Sequence, residues 1–170
     1  MQTRVFEASA AGNLRWPDGS ALCALGRSGV IDAAHKQEGD GATPLGSWDM
    51  RQVFFRPDRL APPETSLPAI PLTPRMGWCD DPASPDYNTL VALPFAARHE
   101  LLWREDGLYD LVVVLGYNDA PPVAGRGSAI FMHVAQPDLS PTEGCIATGL
   151  ASLLSLVGAA APGDRLTISR

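Results

Sequence analysis

Positive charge is scarce in this chain. Its 170 residues include 13 Lys and Arg against 19 Asp and Glu, a formal net charge of −6. That deficit argues against nucleic acid and against an anionic membrane surface as partners. No apolar run approaches the ~20 residues that span a bilayer. The start of the chain, Met1-Gln2-Thr3-Arg4-Val5-Phe6-Glu7, lacks the basic and apolar stretches of a secretory signal. Cysteine is sparse too: Cys23, Cys79 and Cys145 make an odd count. None lies in a Cys-x-x-Cys pair and no His–Cys cluster has zinc-ligand spacing, so at most one disulfide and no metal site are expected.

What remains is ordinary globular material, 45% hydrophobic and 19% charged, enough for one domain over residues 1–170 with a real core. Helical periodicity is rare and strand patterning common. Thr3–Ala8 alternates, Leu14-Arg15-Trp16 leads into a Pro17-Asp18-Gly19 turn, and Ala21–Leu25 reads as the return strand. Trp48–Phe55 and Ser128–Val134 read as strands. Leu111–Leu115 is an unbroken apolar run, expected to be a central strand buried on both faces. Leu150 to about Val157 is the one helical stretch, with Thr148 as its expected N-cap and Gly158 as its stop; Arg165–Ser169 ends the chain as a strand.

Proline concentrates at about residues 57–74, where Pro57, Pro62, Pro63, Pro68, Pro71 and Pro74 fall. Proline cannot donate to a sheet ladder, so this insertion reads as an extended surface excursion. It is either a passive loop or a wall beside a site.

One histidine and one cysteine carry the chemistry. His133 closes the apolar run Ala129-Ile130-Phe131-Met132, and Cys145 follows in Thr142-Glu143-Gly144-Cys145-Ile146. The intervening loop can return the thiol to the imidazole, and such a pair can attack a carbonyl. With a helix starting near Thr148, the sulfur is expected just before its N-terminus, where the dipole favours thiolate. The N–H groups of Gly144 and Cys145 are candidate oxyanion donors. A backbone carbonyl near Val134 is the expected partner for the second His133 nitrogen, with Asp138 and Glu143 as weaker candidates. The bland alternative is a buried thiol beside a core histidine.

Thr-Glu-Gly-Cys-Ile after an apolar strand ending in His resembles the catalytic signature of the YkuD-type L,D-transpeptidases. Upstream, Gly39-Asp40-Gly41-Ala42-Thr43-Pro44-Leu45-Gly46 is similar to that family's Gly-Asp-x-x-Thr-Pro-x-Gly stretch. The resemblance spans roughly Ala21 to Arg170. It implies a mainly β, mixed β-sandwich domain with one short helix after the cysteine. It also implies cysteine-based acyl transfer on peptidoglycan stem peptides, with Cys145 as nucleophile, His133 as base and Gly144 in the oxyanion turn. Donor and acceptor stems are the implied partners, no cofactor is needed, and the implied location is the cell envelope.

The chain departs from the usual pattern. Glu143 replaces a histidine, Ala147 replaces an Arg or Asn two residues after the cysteine, and the loop after His133 is shorter. With the proline-rich segment, these departures resemble a divergent branch that forms 1→3 rather than 3→3 crosslinks. Two other functions fit the same residues: an L,D-carboxypeptidase or endopeptidase, and a cell-wall peptide-binding module without activity. Candidate substrate contacts are Thr142 and Glu143 in the motif and Arg126, which could clasp a carboxylate or simply be solvated. Tyr117 and Asn118 sit at the end of the central strand, where they bind peptide or make a turn. Trp78, Cys79 and Asp80 form an aromatic and acidic patch near Tyr87 and Asn88. Cys79 is a second site thiol or a buried spectator. His35 and His99 are expected at the surface and Cys23 in the core.

Overall fold

The computed structural model describes residues 4–170. The architecture follows from a few apolar strands buried on both faces. In chain order the strands are β1 (Phe6–Ser9), β2 (Asn13–Trp16), β3 (Gly19–Leu22), β4 (Val30–Asp32), β5 (Thr43–Phe55), β6 (Ala69–Pro71), β7 (Met76–Cys79), β8 (Leu90–Ala92), β9 (His99–Leu101), β10 (Leu111–Leu115), β11 (Phe131–Val134) and β12 (Ile146–Thr148). Helix α1 (Leu150–Ala159) and strand β13 (Arg165–Ser169) complete the chain. Ten strands form one mixed, near-barrel sheet in the order β12-β11-β10-β5-β13-β1-β2-β3, with β4 and β6 also paired to β5. A separate sheet has the order β8-β7-β9. The fold is mainly β with one helix.

Alternation along the central strands creates two cores. Leu111, Val113, Leu115, Met132 and Ile146 point to one face and pack with Leu153, Leu156 and Val157 of α1. Val112, Val114, Phe131 and Cys145 point to the other face and pack with Trp78, Leu102 and Tyr109, from β7, the end of β9 and the approach to β10. Burying each Val, Leu or Phe contributes about 1.5–3 kcal/mol, which explains why an unbroken apolar run became the centre of the sheet. The small sheet thus covers the second face, the face that carries the thiol.

Several local expectations differ from the structure. β5 starts five residues before Trp48, because Thr43-Pro44-Leu45 pairs with β4. β11 starts at Phe131 rather than Ser128: Ala129 has φ 53° and its N–H is bound by the Asn88 side chain, so the chain kinks there. The return strand β3 ends at Leu22, and Ala24 instead bridges to Ala147, covering the free edge of β12. Thr148 does not cap α1; its hydroxyl donates to the Leu22 carbonyl, and Gly149 takes the cap position without a side-chain bond. Gly158 lies inside the helix, which ends at Ala159. The N-terminal strand begins at Phe6, and its expected first residue, Thr3, lies outside the described residues.

The proline-rich segment is built into the body. Leu67 and Leu72 are buried, and β6 extends the sheet beside β5 in parallel register. Pro68 and Pro71 flank or end this short edge strand, where a missing N–H is tolerated.

Candidate active site

The parallel pairing of β11 with β12 sets His133 opposite Ala147. Cys145 lies two residues before Ala147, and side chains alternate along an extended chain. His133 and Cys145 therefore project from the same face of neighbouring strands. Both open into a cavity of about 920 Å³ between the large sheet and the small one. Ala147, directly opposite His133, also lines the cavity.

The ring of His133 is fixed from two sides. Its Nδ1 lies 2.9 Å from the Val134 carbonyl, so that nitrogen carries the proton and Nε2 keeps its lone pair. Tyr109 packs edge-on against it with centroids 5.3 Å apart. Burial holds the imidazole below its ordinary value of 6.5, with the Val134 carbonyl opposing the shift. The resting ring is the neutral base.

The thiol is equally constrained. Cys145 Sγ donates to the Ala129 carbonyl at 3.2 Å and accepts from the Phe131 N–H at 3.4 Å. Burial, followed by the charge of Glu100, pushes its pKa up to about 12. This corrects the expectation of a helix-stabilised thiolate. Strand β12 separates Cys145 from α1, so the sulfur lies beyond reach of the first-turn dipole, which fades within one turn. At rest the pair is a neutral thiol beside a neutral imidazole, and ionisation has to accompany attack.

Gly144 shapes the turn into the cysteine. Its φ is 134°, and a Cβ there would stand 2.9 Å from the Ala42 carbonyl oxygen. Ala42 belongs to the Gly39–Gly46 motif, so the two sequence motifs meet backbone to backbone under the thiol. Asp40 holds that upstream loop by accepting from the N–H groups of Gln37 at 2.8 Å and Ala42 at 2.9 Å. Its carboxylate also takes the ammonium of Lys36, which is buried. Thr43 accepts from Gly26 N–H at 2.9 Å, tying the loop to the segment that bridges β12.

The two expected oxyanion donors are not equivalent. The Gly144 N–H points to Thr142 Oγ1 at 3.1 Å. The Cys145 N–H makes no hydrogen bond among the described residues. Thr142 also donates to the Cys145 carbonyl at 2.7 Å, so its contribution is to hold the turn.

The other candidate residues divide by location. Asp80, Thr142 and Glu143 line the cavity; Trp78, Cys79, Tyr117, Asn118 and Arg126 do not. Glu143 pairs with Arg27 at 2.9 Å on the rim, and Asp80 pairs with Arg98 at 3.1 Å. Asn118 closes its own turn through the Val123 N–H and the carbonyls of Val123 and Gly127. Tyr117 donates to the Arg126 carbonyl at 2.6 Å, and the Arg126 guanidinium reaches the Ala34 carbonyl at 2.7 Å. None of these three residues lines the cavity, and each donates to a backbone carbonyl. Cys79 is fully buried, and all three cysteines are free thiols. Trp78 acts from behind the site. Its indole N–H donates to Asn88 Oδ1 at 2.9 Å, the same oxygen that holds Ala129, whose carbonyl receives the Cys145 thiol.

Among the cavity residues outside the site expectations are Glu38, His99, Glu100, Arg104, Tyr109 and Ser128. His99 is half-buried on β9 rather than at the surface, with Nδ1 2.8 Å from the Ala97 carbonyl. His99 and Glu100 lie on the three-residue strand β9 and the other four in loops or turns, where a polar side chain carries no information about what it will meet. None of residues 57–74 lines the cavity, so the proline-rich segment is not its wall.

No group of His, Cys, Asp and Glu among the described residues could hold a metal ion. No helix of the described chain is long and apolar enough to cross a membrane. A family model for the L,D-transpeptidase catalytic domain, YkuD, matches residues 3–168. No curated protein matches the chain.

Proposed function

This chain belongs to the YkuD family of L,D-transpeptidase catalytic domains, and from that premise we propose that it is a single-domain acyltransferase acting on peptidoglycan stem peptides through Cys145. The observation that carries this reading is the common face of β11 and β12, which opens His133 and Cys145 into one cavity. The donor carbonyl docks above the sulfur. His133 Nε2 takes the thiol proton as sulfur attacks, and the developing oxyanion is met by the Cys145 N–H. The protonated imidazole then returns its proton to the leaving amine as the peptide bond breaks, and the donor is left as a thioester on Cys145. An acceptor amine attacks this thioester, its surplus proton passes to His133, and Cys145 leaves and is reprotonated. The implied site of action is the cell envelope, where the substrate is.

The small residue Ala147 and the rim pair Glu143–Arg27 replace the family's usual groups beside the cysteine. They support an altered acceptor geometry, and we assign 1→3 crosslinking as the product. Purified protein incubated with defined disaccharide-peptide donors and acceptors should give crosslinked dimers by mass spectrometry. Tandem fragmentation should place the new amide between the first residue of one stem and the diaminopimelate of the other. Cys145→Ala should fold normally and make none. Dimers from Cys145→Ala would overturn the mechanism. A 3→3 linkage would overturn the subtype alone, and water-cleaved monomers without dimers would make the protein a hydrolase.

A further inference from the structure

Glu100 occupies an unusual position in the cavity. It sits in the middle of β9, opposite Trp78 of β7, and lines the same cavity as His133 and Cys145. Its Oε1 accepts the hydroxyl hydrogen of Tyr109, the ring that packs against His133. Its Oε2 receives no hydrogen bond from any described residue and is not sealed in the interior. The neighbouring cations are committed elsewhere. Arg98 pairs with Asp80 at 3.1 Å and with Glu38 at 3.7 Å, and the Arg104 guanidinium pairs with Asp106 while lying over the Tyr109 ring. Among the described residues, Glu100 thus has one oxygen anchored, one oxygen without a hydrogen-bond partner and no salt bridge.

A carboxylate in that setting matches a need of the reaction. Burial raises the pKa of Glu100, with the Tyr109 hydrogen bond opposing, so it holds a proton more readily than an exposed glutamate. Its charge already reaches the sulfur, since it contributes to the raised pKa of Cys145. An amine arriving at neutral pH comes as an ammonium, which cannot attack until it loses a proton. His133 is the base for the attack itself, and nothing in the thioester stage assigned above removes this first proton.

We propose that Glu100 is a further catalytic residue, which binds the ammonium group of the acceptor through Oε2 and takes the proton that must leave before the amine can attack the Cys145 thioester. The inference rests on the acyl-transfer reading of the site. In the step, one N–H bond of the ammonium breaks and an O–H bond forms on Glu100. The free amine then adds to the thioester carbonyl and gives its second surplus proton to His133, the C–S bond breaks, and the sulfur recovers that proton. Glu100 returns its own proton to water. While it holds that proton, Glu100 no longer carries the charge that disfavours the departing thiolate.

Glu100→Gln tests this with little change of shape, because an amide oxygen can still accept from Tyr109. The acyl-enzyme formed on Cys145 from a stem-peptide donor is partitioned between water and an added amine, and products are counted by mass spectrometry. Two amines are compared: glycine, an ammonium at neutral pH, and hydroxylamine, which is already uncharged. The glycine-to-water ratio should fall about a hundredfold, and the hydroxylamine-to-water ratio far less. Tyr109→Phe keeps the charge but frees its anchor, and should lower the glycine ratio in the same selective way to a smaller extent. Equal losses with both amines would overturn the proposal in favour of a structural role, and so would an unchanged glycine ratio. A wild-type protein that forms no acyl-enzyme on Cys145 would instead overturn the reaction itself, and the role of Glu100 with it.

Discussion

The two walls of the cavity are made differently. One is the edge of the large sheet, β10-β11-β12, whose side chains are nearly all buried and whose register brings His133 and Cys145 to one face. The other is the small sheet β8-β7-β9, with residues such as Leu90, Ala92 and Leu101 exposed and with Asp80, His99 and Glu100 reaching the cavity. The first wall is rigid because its strands are shared between two cores. The second has a core on one side only, formed by Trp78, Leu102 and Tyr109 against Phe54 and Phe131. Reactive atoms need fixed geometry, and groups that meet a substrate need reach and charge. The difference between the walls divides those tasks.

The sharpest way to break this division is at His133. His133→Ala removes the base while sparing every residue of the small sheet. The rate of thioester formation should fall by roughly 10²–10⁴-fold, measured as acyl-enzyme mass against time. Tyr109→Phe, which removes only the hydroxyl that donates to Glu100 of the opposite wall, should cost about tenfold or less in the same assay, the worth of one hydrogen bond. Equal losses would mean that the walls do not divide the work.

The same contrast explains what could be read from the chain alone. Leu111–Leu115 announced a doubly buried strand because five consecutive apolar residues fit no other environment so well. His133 and Cys145 stood out as an imidazole and a thiol in one short stretch, and with His133 in β11 and Cys145 just before β12 one parallel register is enough to bring them to one face. The Gly39–Gly46 motif was legible as a motif, but its physical role was not: only the fold brings the Ala42 carbonyl against Gly144. The small sheet left almost no trace. Its strands are three or four residues long, and the two partners of β7 are joined by a stretch that no periodicity marks. Glu100 and Tyr109 were therefore invisible as a pair. The helix-dipole expectation failed for a related reason: the helix starts at Leu150 as expected, but Ile146-Ala147-Thr148 is too short a segment to announce the strand that pairs with β11 and sets the cysteine apart from α1.

A smaller effect is expected where the reactive wall meets the upstream motif. Gly144→Ala puts a side chain at φ 134° and a Cβ within 2.9 Å of the Ala42 carbonyl oxygen, which is backbone and cannot swing away. The strain should cost about 1–3 kcal/mol and lower the melting temperature by roughly 2–4 °C per kcal/mol in a domain of this size. Because the turn sets the Cys145 N–H, acylation should suffer beyond what the remaining folded fraction explains. A variant with unchanged melting and unchanged acylation would show that the two motifs meet without consequence.

The smallest effect belongs to the rim, which is neither wall. The Glu143 side chain is 79% exposed and its partner Arg27 is 51% exposed. An ion pair so open to solvent gains little, about 0–1 kcal/mol, because water and salt screen it and two long side chains must be ordered to form it. Glu143→Ala should therefore shift thermal stability by no more than about 0.5 kcal/mol, and acylation by about twofold, which is what that energy is worth. Glu143 stands where the family usually has an imidazole, so this variant also asks what replaced it. A small change places recognition on β7 and β9, with Glu143 holding the Thr142-Glu143-Gly144 turn to the turn at Arg27. A loss approaching that of His133→Ala would move recognition to the reactive edge, and the division between a reacting wall and a recognising wall would have to be redrawn through the rim.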